Sequence, residues 1–216
     1  MRFSPARQRR AQGRRREREL DQSLRRLRTD HFDLYQFHAV SSMADVEQIL
    51  GPGGAAEVFV KARKEGEARY LGFSAHNAEA AIALMDRMPL DSILFPVNYV
   101  NYQQGKFGEQ ILAHAKQKGL ARLALKAMAY RPWPAGLARE QRDYPKCWYQ
   151  PLSERDMARD GIRFTLSQDV TAAIPPGDER LFEMAVELAQ AFKPLSVDET
   201  NRILASSQGV EPIFKA

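Results

Sequence analysis

The sequence predicts an α/β fold of parallel strands joined by helices, and three observations predict it. Short β-like runs alternate with longer helical patterns from about residue 20 onward, and such alternation implies parallel strands with right-handed crossovers. The polar residues Gln36, His38, Ser74, Asn98 and Lys126 fall near the C-terminal ends of their runs, where a (β/α)8 barrel assembles its active site. The chain carries no Gly-x-Gly-x-x-Gly fingerprint of a nucleotide-binding doubly wound sheet. The alternation fits an open sheet or a barrel, and the last two observations favour the barrel.

The runs read as strands are His31–His38, Ala68–Ser74, Ser92–Tyr99, Ala121–Lys126 and Asp169–Ile174. Each is short, several are β-branched or aromatic, and Gly72, Gly119 and Pro175-Pro176-Gly177 punctuate them. Between them lie helical patterns. Leu20, Leu24 and Leu27 recur at helical spacing, and Ala56 to Glu65 offers Glu57 and Lys61 as an i,i+4 pair. Gln104 to Lys118 sets Phe107, Ile111 and Ala115 on one stripe. Glu179 to Phe192 does the same with Phe182, Val186, Ala189 and Phe192, with Asp178 placed to cap it. Ser196-Val197-Asp198-Glu199 opens a last helix as a capping box. Pro132 to Pro151 has no clear period and reads as a long loop with little regular structure.

Length and charge bound the rest. At 216 residues and 44% hydrophobic, the chain can bury one core, and no second domain is needed. We divide it into a basic arm at residues 1–19 and one domain at 20–216. Residues 1–28 hold eleven arginines against Glu17, Glu19 and Asp21, a local net charge of +8 within a total of +5. Such an arm could touch phosphates. It has one aromatic, Phe3, and no DNA-binding motif, so a nucleic-acid partner is not expected. The single cysteine, Cys147, makes neither an internal disulfide nor a cysteine-based metal site, and cytoplasmic residence is the default expectation. His31, His76 and His114 are scattered without acidic clusters, so no metal is expected. The Arg-rich start has no apolar core of a secretory signal, and no stretch is long enough to cross a bilayer.

Four segments carry a family resemblance. Ser23-Leu24 through Thr29-Asp30 to Asp33-Leu34-Tyr35 and His38 resembles the helix-then-strand signature of aldo/keto reductases, which ends on a catalytic histidine. Lys64 to Ser74 resembles the segment leading into the family's fifth strand. Leu123 to Met128 is similar to the seventh-strand segment of the bacterial branch, and Thr171 to Gly177 to the eighth-strand turn. The resemblance covers about residues 20 to 210 in family order. It implies a partial TIM-type (β/α)8 barrel of about five parallel strands, the family's fourth to eighth. It also implies NADP(H) as cofactor and a small carbonyl compound as substrate. In that chemistry a tyrosine protonates the carbonyl while the cofactor delivers hydride, and a lysine, an aspartate and a histidine assist.

The carry-over is partial. His38 matches the histidine that orients the carbonyl oxygen, and Ser74 the serine that holds the nicotinamide carboxamide, with Ala75 where an asparagine is usual. On the sixth strand Pro96 replaces a glutamine, leaving Asn98 as the nearest amide. Leu125 stands where an aromatic would stack on the nicotinamide, and Lys126 follows it. Gly177 matches the phosphate turn without the lysine-serine pair that normally follows, and Arg180 is an unaligned phosphate partner. The family's Asp, Tyr and Lys precede the histidine strand, whereas the first tyrosine here is Tyr35 and the first lysine Lys61. Proton donation by a tuned acid contributes roughly 10²–10⁴-fold in rate. The expectation is therefore a reductase fragment slow in hydride transfer, with a non-catalytic nucleotide-binding pseudoenzyme or a fragment completed by a partner as the alternatives. Lacking three strands, its sheet should expose Leu34 and Gln36 on one edge and Thr171 and Ala173 on the other, and the chain should self-associate.

Overall fold

The computed structural model describes residues 17–215, so most of the basic arm lies outside the described residues. Five parallel strands form one sheet in the order β1 (Phe32–Val40), β2 (Ala68–Ala75), β3 (Ser92–Pro96), β4 (Ala121–Leu125), β7 (Ala172–Ala173). This is the chain order the alternation predicts. Two further strands, β5 (Ala129–Pro132) and β6 (Tyr149–Pro151), make a separate antiparallel pair. The chain divides into two compact units, one ending at Ile93 and one starting at Leu94.

In the first unit a helix at residues 17–27, α1, buries Leu20 and Leu24 but leaves Leu27 exposed. β1 is partly buried along most of its length, with Phe37 and Val40 buried outright. Tyr35 and Phe37 face α3 (Ala55–Glu65), where both stack on Phe59 at centroid distances of 4.1 and 3.7 Å. The intervening helix α2 (Met43–Leu50) starts where the Ser42 side chain accepts the Asp45 N–H, and α3 ends on Gly66 in the left-handed conformation. Glu57 does not pair with Lys61. Its carboxylate accepts the Gly53 N–H, and Lys61 pairs with Glu17 and Glu65. Helix α4 (Ala78–Arg87), capped by Asn77, lies against β2.

The second unit gathers its core around Tyr99, Val100, Met128, Leu152, Phe164 and Leu181. The stripe read from Gln104 to Lys118 is not one helix. α5 (Tyr99–Gln103) and α6 (Glu109–Gln117) are separated by a turn in which Lys106 and Gly108 have positive φ. Chain crowding forces the turn: a Cβ on Gly105 would lie 2.2 Å from the Phe214 carbonyl oxygen, and one on Gly108 2.6 Å from the Tyr102 ring. Phe107 is buried from the turn rather than from a helix.

The segment Pro132 to Pro151 is more ordered than its composition implies. Its ends pair as β5 and β6, and Arg139–Gln141 forms a 3-10 turn. Pairing is possible because Arg131 and Gln150 meet side chain to side chain at 2.8 Å and Trp133 donates its indole N–H to the Cys147 carbonyl at 2.9 Å. The next helix, α7 (Arg155–Ser167), packs closely on the preceding strand end, since a Cβ on its Gly161 would stand 2.7 Å from the Ala127 carbonyl oxygen.

Helix α8 (Glu179–Gln190) is capped by Asp178 as expected, yet it buries Leu181, Ala185 and Leu188. Phe182 and Val186, on the stripe expected to be inward, are 48% and 40% exposed. Both stripes satisfy the helical period, and the adjoining Leu181 row is the one that meets α7. Helix α9 (Val197–Ser206) opens with the capping box of Ser196 and Glu199. At the two ends of the strand order, Thr171 is exposed, while Leu34, Gln36 and Ala173 are half-buried. No helix among the described residues is long and apolar enough to cross a membrane.

Candidate functional site

The first unit places His38 two residues before the end of β1, at an irregularity in the β1–β2 register between Phe37 and Val40. Ala39 there takes φ +55°, and its N–H is donated to the Ser74 hydroxyl at 2.7 Å. The two residues are thus tied through the backbone beside His38. His38 itself is exposed, and among the described residues its ring has no hydrogen-bond or ionic partner. Ser74 is buried. Its oxygen is engaged as an acceptor, which leaves the O–H to donate.

This unit supplies no acid paired with His38 among its described residues. Its two described tyrosines are Tyr35, turned to Phe59, and Tyr70, which is 57% exposed. Two polar groups on strand residues are sealed without partners: the Gln36 Nε2 and the Ser92 Oγ. Both lie against Gly72, where an added Cβ would come within 3.2 and 2.2 Å of them. Sequence reasoning singled out Gln36 only by its position and missed Ser92.

The second unit holds the remaining candidates, and most of them are already engaged. Asn98 is fully buried and caps α5, its Oδ1 accepting the Asn101 N–H at 2.9 Å while its Nδ2 donates to the Lys126 carbonyl at 3.2 Å. Arg180 is held by three neighbours. It pairs with Asp178, donates Nη2 to the Asp143 carbonyl at 2.6 Å and stacks over Tyr144 at 4.3 Å. The Arg180 guanidinium in turn holds the Asp178 carboxyl below the usual carboxylate range. Gly177 has open space around its Cα and no left-handed strain.

Lys126 carries the one candidate amine. It sits at the end of β4 with φ +69°, and its Nζ lies 4.7 Å from the centroid of Tyr149 and 5.4 Å from that of Trp148. Burial pulls its pKa down, and Cys147 opposes that shift. Cys147 and Tyr149 are both buried, and burial pushes both pKa values up. These three neighbours of Lys126 fall in the stretch read from sequence as a long loop with little regular structure. They reach Lys126 only because β6 folds back on β5.

A nicotinamide dinucleotide would need an amide holder, a ring platform and a phosphate site. Taken singly, Ser74 keeps an O–H to donate and Gly177 leaves open space, whereas the Asn98 amide is already engaged and Leu125 offers no aromatic face. At the N-terminus of α8 the Asp178 carboxylate already occupies the position where backbone N–H groups and the helix dipole would favour a phosphate. No group of three or more metal-ligating side chains occurs among the described residues.

Residues 5–195 match the model of the aldo/keto reductase family. Solved structures match as well. Aldo-keto reductase AKR11C1 from Bacillus halodurans, in its holo form, is 21% identical with a TM-score of 0.58, over 88% of this chain and 63% of that one. The glycerol dehydrogenase AKR11B4 from Gluconobacter oxydans is also 21% identical, at 0.60, over 94% and 68%. An aldo-keto reductase from Bombyx mori in complex with NADP is 19% identical, at 0.58, over 86% and 61%. The chain therefore spans a little under two thirds of the length of the first of these. At such identities the likeness shows the fold. No curated protein matches.

Proposed function

The chain belongs to the aldo/keto reductase family, and from that premise we propose that it is an oxidoreductase polypeptide for carbonyl–alcohol interconversion, impaired in catalysis on its own. The observation that carries the reading is His38. It is exposed at a strand end, unpartnered among the described residues, and tied through Ala39 to Ser74. That is the state of a side chain available to a carbonyl oxygen. What is missing beside it among the described residues is a proton donor. Tyr35 is turned to Phe59, and Tyr99 is buried in the core of the second unit, where burial raises its pKa well above the usual phenol value.

Tyr130 lies half-buried against Arg131 on β5. Loss of a tuned acid costs roughly 10²–10⁴-fold in rate. NADP(H) is the cofactor the family implies, and the engaged state of Asn98 and Arg180 argues that this chain holds it weakly. That same observation favours a second reading, a non-catalytic member of the family.

Steady-state oxidation of NADPH by the full chain with a small aldehyde tests both. We expect trace turnover that His38→Ala changes little. Robust turnover abolished by His38→Ala would overturn the impairment and point to an acid supplied from outside the residues named here.

A further inference from the structure

We infer that Lys126 is an imine-forming amine: its half-buried Nζ, confined by Tyr149 and Trp148 and lacking any carboxylate partner, takes small aldehydes or ketones as a Schiff base. Its setting differs from that of the paired lysines. Lys61, Lys116 and Lys146 each reach a carboxylate, that of Glu17, Asp169 and Glu179 respectively. Lys126 has ring faces instead. Lys126 is also only partly buried, so a small carbonyl compound can reach it.

The backbone is built to hold it there. Lys126 takes φ +69°, a conformation that costs a non-glycine residue roughly 1 kcal/mol or more. Its carbonyl accepts two hydrogen bonds, from Asn98 Nδ2 at 3.2 Å and from the Ala129 N–H at 2.9 Å, which fix the bend. A glycine would sit there without strain, so the lysine occupies the position at a cost.

The surroundings favour the neutral amine, which is the nucleophile. Burial disfavours the ammonium, while each ring face returns about 0.5–1 kcal/mol to it at a part-exposed site. The balance lies with burial, and the Lys126 pKa is lowered. The titratable groups facing it are Cys147 and Tyr149, and burial holds both in their protonated, uncharged forms. Neither supplies an anion to pair with an ammonium. Each carries a proton that can be lent.

The step is redox-neutral. The nitrogen lone pair forms a bond to the carbonyl carbon as the carbon–oxygen π pair moves to oxygen, which takes a proton. The carbinolamine then loses that oxygen as water while nitrogen forms the double bond. One amine, one carbonyl and one proton give one iminium and one water. No nucleotide takes part, so the inference stands apart from the reductase reading.

The test is trapping without NADPH. The full chain is incubated with limiting propanal and sodium cyanoborohydride, and each lysine that forms an imine becomes heavier by one propyl group in peptide mass spectrometry. Lys126 should be labelled several-fold faster than the exposed Lys193 and Lys215, and that preference should vanish in guanidinium. Trp148→Leu removes a ring that is 53% exposed, so the fold is kept, and it should bring Lys126 toward the surface rate. Labelling of Lys126 at or below the rate of Lys193 in the native chain would overturn the proposal, as would a preference unchanged by Trp148→Leu.

Discussion

The candidate site residues of the two units differ in how far neighbouring groups already engage them. In the unit ending at Ile93, His38 is left without a partner among the described residues, and the Gln36 amide and Ser92 hydroxyl are sealed without one there. In the unit starting at Leu94, Asn98 caps a helix and Arg180 is tied to Asp178, Asp143 and Tyr144. The difference teaches that strand-end position alone does not make a site. A polar side chain at a strand end is open to a ligand only when no turn or cap nearby has an unsatisfied group to claim it.

The sharpest way to break the contrast is to show that the second unit does not depend on its core. Phe164 is 1% exposed and meets the rings of Tyr99 and Tyr102 edge-on at 6.2 and 5.3 Å. Phe164→Ala should cost about 3–5 kcal/mol in denaturant unfolding. A loss below about 1 kcal/mol would mean that this core is loosely packed. Asn98→Ala comes next, removing a helix cap and a bond to the Lys126 carbonyl. We expect a loss of about 2 kcal/mol. Equal stability with weakened nucleotide binding would show that Asn98 serves a ligand rather than the fold.

On the other side of the comparison, Ser74→Ala strips the Ala39 N–H of its acceptor and should cost about 1 kcal/mol. His38→Ala should change stability by less than about 0.5 kcal/mol, because nothing in the described structure leans on the ring.

A smaller effect has a pH sign. Glu199 pairs with Arg163 and closes the capping box with Ser196, which lowers its pKa from 4.5 to about 2. A carboxyl depressed on folding stabilises the folded state above its unfolded value and loses that contribution as pH falls through the folded one. Glu199→Gln should therefore lower the melting temperature at pH 7, and the gap to the parent should close as pH falls from about 4.5 toward 2. A gap that persists at the acid end would assign the effect to packing.

The strands were legible because the alternation and the turn residues are local signals, and all five appear in the expected order. The caps at Asp178 and Ser196 were legible for the same reason. Helix α7 was not. Its stretch begins with Arg155, Asp156 and Met157 and carries Gly161 mid-helix, a residue present because the helix crosses close to the Ala127 carbonyl. The outward Phe182 stripe shows the limit of periodicity, which fixes a helix but not which of two apolar faces is buried. At the site, His38 and Ser74 were legible from the motif. The hold of the Asp143 carbonyl on Arg180 and the rings around Lys126 depend on contacts across the fold, such as the β5–β6 pairing of residues nearly twenty apart.

The most direct test of the contrast is equilibrium binding of NADPH to the full chain, followed by its fluorescence and by calorimetry, for the parent and for Asp178→Asn. With the phosphate position at α8 filled by an internal carboxylate, the parent should bind weakly, and Asp178→Asn, which removes that negative charge, should bind more tightly. Tight, saturable binding by the parent that Arg180→Ala weakens would contradict the account, because it would mean that Arg180 leaves Asp178 for the nucleotide and that the second unit is a cofactor site after all.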